Sequence, residues 1–135
     1  MYRNILIPVL FDDGHDTAAS FKAAQLLADK DAAFTVLHVM EDIPNYARLE
    51  ILTSAIDESR EKIGVKLVDK AMAISGAKPV LINGHSGRSI VEYANANEID
   101  CIVMASHQLG LSDIFLGSTA AKVVRHANCS VHVIR

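Results

Sequence analysis

The sequence predicts an α/β fold: a single doubly wound open sheet of five parallel strands with helices on both faces. Three observations carry that prediction. Short apolar, β-branched runs recur five times along the chain, and a segment with helical spacing of apolar residues separates each run from the next. Two of the runs, Ile5–Leu10 and Cys101–Ala105, are apolar throughout rather than alternating, as strands covered on both faces must be. Strict β-α alternation requires parallel pairing through right-handed crossovers, which lays helices on both sides of the sheet.

Taken in order, strand 1 is Ile5–Leu10, with Pro8 removing one ladder donor. Phe11–Asp16 is turn chemistry ending in Asp16, an effective N-cap residue. Helix 1 follows over about Thr17–Asp29, with Ala19, Ala23, Leu26 and Leu27 expected on its inner face. Strand 2 is Ala33–Val39. After a loop containing Pro44, helix 2 is expected from about Ala47 to Ile74, with Leu52, Ile56, Ile63, Leu67, Ala71 and Ile74 on one stripe. Gly64 costs that helix about 1 kcal/mol relative to Ala and is a point for a kink. Ser75-Gly76 suits a C-cap.

Strand 3, Pro79–Asn83, is expected near an edge because Pro79 cannot donate to a ladder. Gly84–Gly87 is a turn, and helix 3 runs from Arg88 to Ala96 with Ile90, Val91 and Ala94 inward. Strand 4 is Cys101–Ala105, helix 4 about Ser118–Ala127, and strand 5 Ser130–Ile134.

Composition excludes several classes. At 135 residues the sequence suits one domain with a substantial core. A net charge of −3, with no run of Lys or Arg, argues against nucleic-acid or membrane-surface partners, which need clustered cations. The opening apolar run is too short for a signal-peptide core or a membrane span. Cys101 and Cys129 form no C-x-x-C pair and read as buried thiols of a reducing compartment, so a cytoplasmic protein is expected.

In doubly wound sheets ligands sit beyond the carboxyl ends of the strands, which puts Leu10–Gly14 and Ala105–Gln108 on the functional rim. The long connection before Gly117-Ser118-Thr119 leads to a helix start whose first N–H groups lack intrahelical partners, an arrangement that suits a phosphate. A turn and N-cap account for Gly117-Ser118 equally well from spacing alone. Neither a Walker-type loop nor G-x-G-x-x-G is present. Gly84-His85-Ser86-Gly87-Arg88-Ser89 imitates a phosphate loop, but a turn with a capping serine explains it better. The six histidines make no metal-ligand pairing, and His38 and His132, within strands, read as structural. Ser106, His107 and Asp113 form no triad, since no nucleophile elbow surrounds the serine. Asp12-Asp13 suggests a phosphorylated receiver domain, but Ile82-Asn83-Gly84 stands where the accepting Asp should be, and the lysine after strand 5 is missing.

The chain as a whole resembles the universal stress protein family, through Asn4–Val9 at one end and, at the other, Ile102–His107, Leu116-Gly117-Ser118 and Val124–Val131. The ASH…LGS…VVRHA pattern is most similar to the F/G-type subgroup. The resemblance implies strand order 3-2-1-4-5, a homodimer through strand 5 (Val131, Val133, Ile134), with a tetramer as the larger alternative, and ATP with Mg²⁺ at the carboxyl edge. ATP-binding members carry G-x2-G-x9-G-[ST]. Here Ala105 and Gln108 replace the first two glycines, and Gly117-Ser118 keeps the third and its hydroxyl. Leu10 stands where the family usually has an Asp.

On this basis Val9, Asp12, Val39, Ala105, His107, Gln108, Gly117, Ser118 and Thr119 are expected to bind the nucleotide, with Asp12 on the ribose and residues 117–119 on the phosphates. No general base or arginine finger is evident, so the resemblance points to a nucleotide-dependent switch or partner-binding dimer. No catalytic residue and no metal ligand is assigned, and ATP hydrolysis would be slow at most. The alternative is a nucleotide-free dimeric interaction module that has lost the site.

Overall fold

The computed structural model describes residues 1–11, 17–41, 50–106 and 116–135. Its elements are β1 (Tyr2–Pro8), α1 (Thr17–Leu27), β2 (Ala28–Met40), α2 (Glu50–Ala71), β3 (Lys78–Asn83), α3 (Ser86–Ala96), β4 (Cys101–Ala105), α4 (Ser118–His126) and β5 (Ser130–Ile134). The strands form one sheet in the order β3-β2-β1-β4-β5, and every pairing is parallel. Fold class and strand order are therefore as the sequence and the family resemblance imply.

The period-2 geometry of the strands divides the apolar runs between two cores. Ile5, Ile7, Val9, Val36, Cys101 and Val103 pack with Phe21 and Ala24 of α1 and with Leu67 and Ala71 of α2. Leu6, Leu37, Val39, Ile102 and Met104 point to the opposite face, against Ile90, Val91 and Ala94 of α3 and Ala120 and Val123 of α4. Complete burial of Ile5, Leu6, Ile7, Ile102 and Val103 explains why β1 and β4 read as unbroken apolar runs.

Several expectations need correction. Helix 1 ends at Leu27, and β2 begins at Ala28 rather than Ala33. Its first residues pair irregularly, with a register shift between Tyr2 and Asn4 and a left-handed Asp31 (φ 66°), so they carry no strand signature. The inner face of α1 is centred on Ser20, Phe21 and Ala24; Ala23 and Leu27, as expected, pack partly buried against the same core, while Leu26 is 78% exposed. A helix turns about 100° per residue, so counting only apolar positions rotated the face by about one residue past Ser20. Helix 3 starts at Ser86, not Arg88; His85 occupies the N-cap with no side-chain capping bond. Helix 2 continues through Gly64 without interruption, and its expected stripe is buried at Leu67 and Ala71, with Ile74 following beyond the helix end. Gly76 is left-handed (φ 77°), but α2 ends at Ala71, so Ser75-Gly76 belongs to the turns that follow the helix and does not cap it.

The amino edge of the sheet is closed by polar contacts. Asp100 accepts from the Arg3 and Asn4 backbone N–H groups at 2.8 and 3.0 Å, and the Asn4 amide donates to the Asn97 and Glu98 carbonyls. The carboxyl edge carries the cavities.

Candidate functional site

Three strand ends and three helix starts meet at the carboxyl edge around a cavity of about 120 Å³. Pro8, Val9 and Leu10 leave β1, Leu37 and Val39 come from β2, and Met104, Ala105 and Ser106 close β4. Opposite them stand Thr17 and Ser20 of α1, Ser86 and Ile90 of α3, and Gly117–Ala120 at the start of α4. Among the described residues the lining contains no charged side chain. Its polar groups are the hydroxyls of Thr17, Ser20, Ser86, Ser106, Ser118 and Thr119.

The helix starts make this neutral lining attractive to anions, because first-turn N–H groups without partners carry the positive end of the helix dipole. Gly117 caps α4 with an extended backbone (φ −57°, ψ 152°) and no side-chain bond, and α3 likewise lacks a side-chain cap. Gly117 also keeps the approach close: a Cβ there would lie 3.3 Å from the Ser106 carbonyl oxygen, a contact that needs a shift of a few tenths of an ångström. Ser106 is itself held by its N–H, which donates to the Ile134 carbonyl at 2.9 Å and extends the β4–β5 ladder past Ala105.

The β1 side is braced from behind. His38, 8% exposed, has Nδ1 2.8 Å from the Val9 carbonyl; a carbonyl only accepts, so Nδ1 carries the proton. Phe11 stacks edge-on against the His38 ring at 4.7 Å, and Lys70 Nζ lies 5.5 Å from the Phe11 ring centre. The same ammonium donates to Thr17 Oγ1 at 3.2 Å, tying the end of α2 to the start of α1. His38 thus has the structural role expected of it, whereas His132 is exposed.

Val9, Val39, Ala105, Gly117, Ser118 and Thr119 all line the cavity, while Asp12, His107 and Gln108 lie outside the described residues. Thr17, Ser20, Ser86 and Ser106 also line the cavity, beyond the residues expected to bind the nucleotide. Ser86 is neither a phosphate-loop residue nor a cap: it is the first residue of α3, and its hydroxyl donates to Glu41 Oε1 at 2.8 Å. The recurrence of Ser or Thr just inside three helix starts was a usable signal.

At the opposite end of β4, Cys101 is buried and pushed up to about 11, first by burial and then by Cys129 and Asp100. Cys129, half-buried, is also raised, chiefly by burial. Both thiols are free, and burial holds each towards its protonated, less nucleophilic form. Among the described residues no group of three His, Cys, Asp or Glu side chains could hold a metal ion, and no helix is long and apolar enough to cross a membrane.

The profile of the universal stress protein family matches residues 1–135. The chain belongs to that family. The universal stress protein of the QAH/OAS sulfhydrylase 3′ region of Thermus aquaticus is 30% identical over 139 residues, covering 100% of both chains. Among solved structures, the universal stress protein UspA from Lactobacillus plantarum matches with TM-score 0.72 and 28% identity over 99% of this chain and 98% of its own. A universal stress protein in complex with cAMP (TM-score 0.68, 21% identity, 99% and 97% coverage) shares the fold. So does an Arabidopsis thaliana family protein with AMP bound (0.66, 20%, 98% and 90%).

Proposed function

We propose that this universal stress protein binds an adenine nucleotide, ATP with Mg²⁺, in the cavity at the carboxyl edge and acts as a nucleotide-dependent, partner-binding homodimer of the cytoplasm. One observation carries the reading: the cavity joins an apolar floor to the starts of three helices and six hydroxyls, a combination that fits a flat base at one end and phosphate at the other. Structural neighbours that hold cAMP and AMP support an adenine ligand. Val9, Leu37 and Val39 would meet the base, and Gly117, Ser118 and Thr119 the phosphates. Asp12, His107 and Gln108 stay in the assignment on the strength of their sequence positions. The described cavity lining offers no carboxylate, so Mg²⁺ would be held mainly by the nucleotide's own phosphates. When bound it neutralises phosphate charge; the hydroxyls and N–H groups orient the phosphates.

For the dimer, β5 pairs with β4 on one side, and antiparallel pairing of two copies along its other side would close an edge that invites association. A monomer by light scattering at micromolar concentration overturns that part.

A second reading, a nucleotide-free interaction module, is favoured by Leu10, an apolar side chain at the cavity and 38% exposed. Denaturing the purified protein and assaying released adenine nucleotide by absorbance and mass spectrometry separates the two. Absence of released nucleotide, together with no calorimetric signal and no rise in melting temperature in millimolar Mg-ATP, overturns the nucleotide reading.

A further inference from the structure

A second space adjoins the cavity and has the opposite character. It is a groove of about 350 Å³ lined by Glu41, His85, Ser118, Thr119, Ala121, Lys122, Arg125 and His126. Ser118 and Thr119 belong to both spaces. From them the groove follows one face of α4, at positions i, i+1, i+3, i+4, i+7 and i+8, along a helix about 13 Å long.

The cations here are not explained by the helix alone. Arg125 and His126 stand in the last turn of α4, where positive charge complements the helix dipole. Lys122 in mid-helix has no such reason to be there. Lys122 is also built in: a Cβ added to Gly87 would lie 2.8 Å from Lys122 Cδ and 3.0 Å from its Cβ, so the lysine stem lies flat on the first turn of α3. Among the described residues neither Lys122 nor Arg125 has an ion-pair partner. The one carboxylate of the groove, Glu41, already accepts the Ser86 hydroxyl.

We infer that the groove is a subsite for a polyphosphate tail, so that the protein reads the number of phosphates on its nucleotide. The first phosphate sits on residues 117–119 within reach of both spaces. Each further phosphate extends along α4 towards Lys122 and Arg125, which supply charge-assisted hydrogen bonds that a monophosphate or cyclic monophosphate cannot reach. This inference rests on the adenine-nucleotide reading above and adds to it the selection of ATP over AMP.

The test is isothermal titration of the full chain with AMP, ADP, ATP and inorganic tripolyphosphate, for the wild type and for the double variant Lys122→Gln/Arg125→Gln. In the wild type, affinity should rise from AMP through ADP to ATP, by roughly tenfold over the series. The double variant should cut the ATP-to-AMP affinity ratio to about a third or less, with its circular dichroism unchanged. Equal wild-type affinities for AMP, ADP and ATP overturn the tail subsite while leaving the adenine site standing. A ratio unchanged by the double variant also overturns it. Tripolyphosphate binding as tightly as ATP identifies a free-polyphosphate site and overturns the tail assignment. Absence of binding by any nucleotide ends the underlying reading and this inference with it.

Discussion

Ser118 and Thr119 stand between two spaces built from the same helix but on different physics. On one side lies a neutral cavity, lined by strand ends and hydroxyls and backed by the packed core. On the other runs a groove that carries Lys122 and Arg125 beside Glu41 and is open to solvent, since His85, Arg125 and His126 are all exposed. On the proposed reading the cavity would recognise through shape, backbone N–H groups and helix dipoles, which are fixed in the fold and weakly screened. The groove would recognise through full charges at a solvent-open surface, which salt screens. If both proposals hold, one helix start anchors a ligand while its side face grades that ligand by charge. The two contributions are separable by experiment.

The most severe break is Gly117→Val. A branched side chain must enter where even a Cβ lies 3.3 Å from the Ser106 carbonyl, and it would push α4 away from β4 or fill the cradle. Loss of roughly 100-fold in affinity is expected for AMP and ATP alike, since both use the cradle. Calorimetry measures this, and sizing chromatography checks that the oligomer persists; wild-type affinity would remove Gly117 from the site. Next in size is salt. Raising ionic strength from about 0.01 M to about 0.15 M should weaken ATP binding by roughly fivefold and leave adenosine nearly untouched. Equal loss for both ligands would dissolve the distinction between cavity and groove.

Gly87→Ala probes the groove through packing. The new methyl meets the Lys122 stem at 2.8–3.2 Å, so either the lysine swings out or α3 and α4 separate, at about 1 kcal/mol. A melting temperature lower by a few degrees is expected, with the ATP-to-AMP ratio reduced by roughly threefold. An unchanged ratio beside a lowered melting temperature would mean that Lys122 does not depend on Gly87 for its position.

Residues differ in how far their roles were legible before the fold was known, and the reason is locality. β4 and β5 were bounded correctly because an apolar run and its turns lie within a few residues. Gly117-Ser118-Thr119 was legible for the same reason: a small residue and two hydroxyls at a helix start form a local pattern. Ser20 was hidden because a serine in the middle of a buried face breaks an apolar count, although it is buried there and lines the cavity. The groove was not legible at all. Lys122 and His85 are 37 positions apart in the sequence (122 − 85), and only the contact between α3 and α4 at Gly87 brings them to one surface. Ile5–Leu10 showed its burial but not its ends, since β1 is Tyr2–Pro8 and Tyr2-Arg3-Asn4 lacks the apolar signature.

The smallest effect is expected where the two spaces touch. Ser86 lines the cavity, Glu41 lines the groove, and the 2.8 Å hydrogen bond between them is part of the wall. Glu41 is exposed, so the bond contributes modestly to stability, and its effect on binding is electrostatic. Ser86→Ala releases the carboxylate to turn towards Lys122 and Arg125, where it competes with a phosphate tail. ATP affinity should fall by about twofold while AMP affinity stays level. Glu41→Gln removes the competing charge and should move ATP affinity the other way by a similar factor. Measured together, the two variants separate charge from shape. If Ser86→Ala weakens AMP as much as ATP, its hydroxyl acts inside the cavity as a ligand to the first phosphate, and the boundary between cavity and groove moves from the Ser86–Glu41 bond to Ser118 and Thr119.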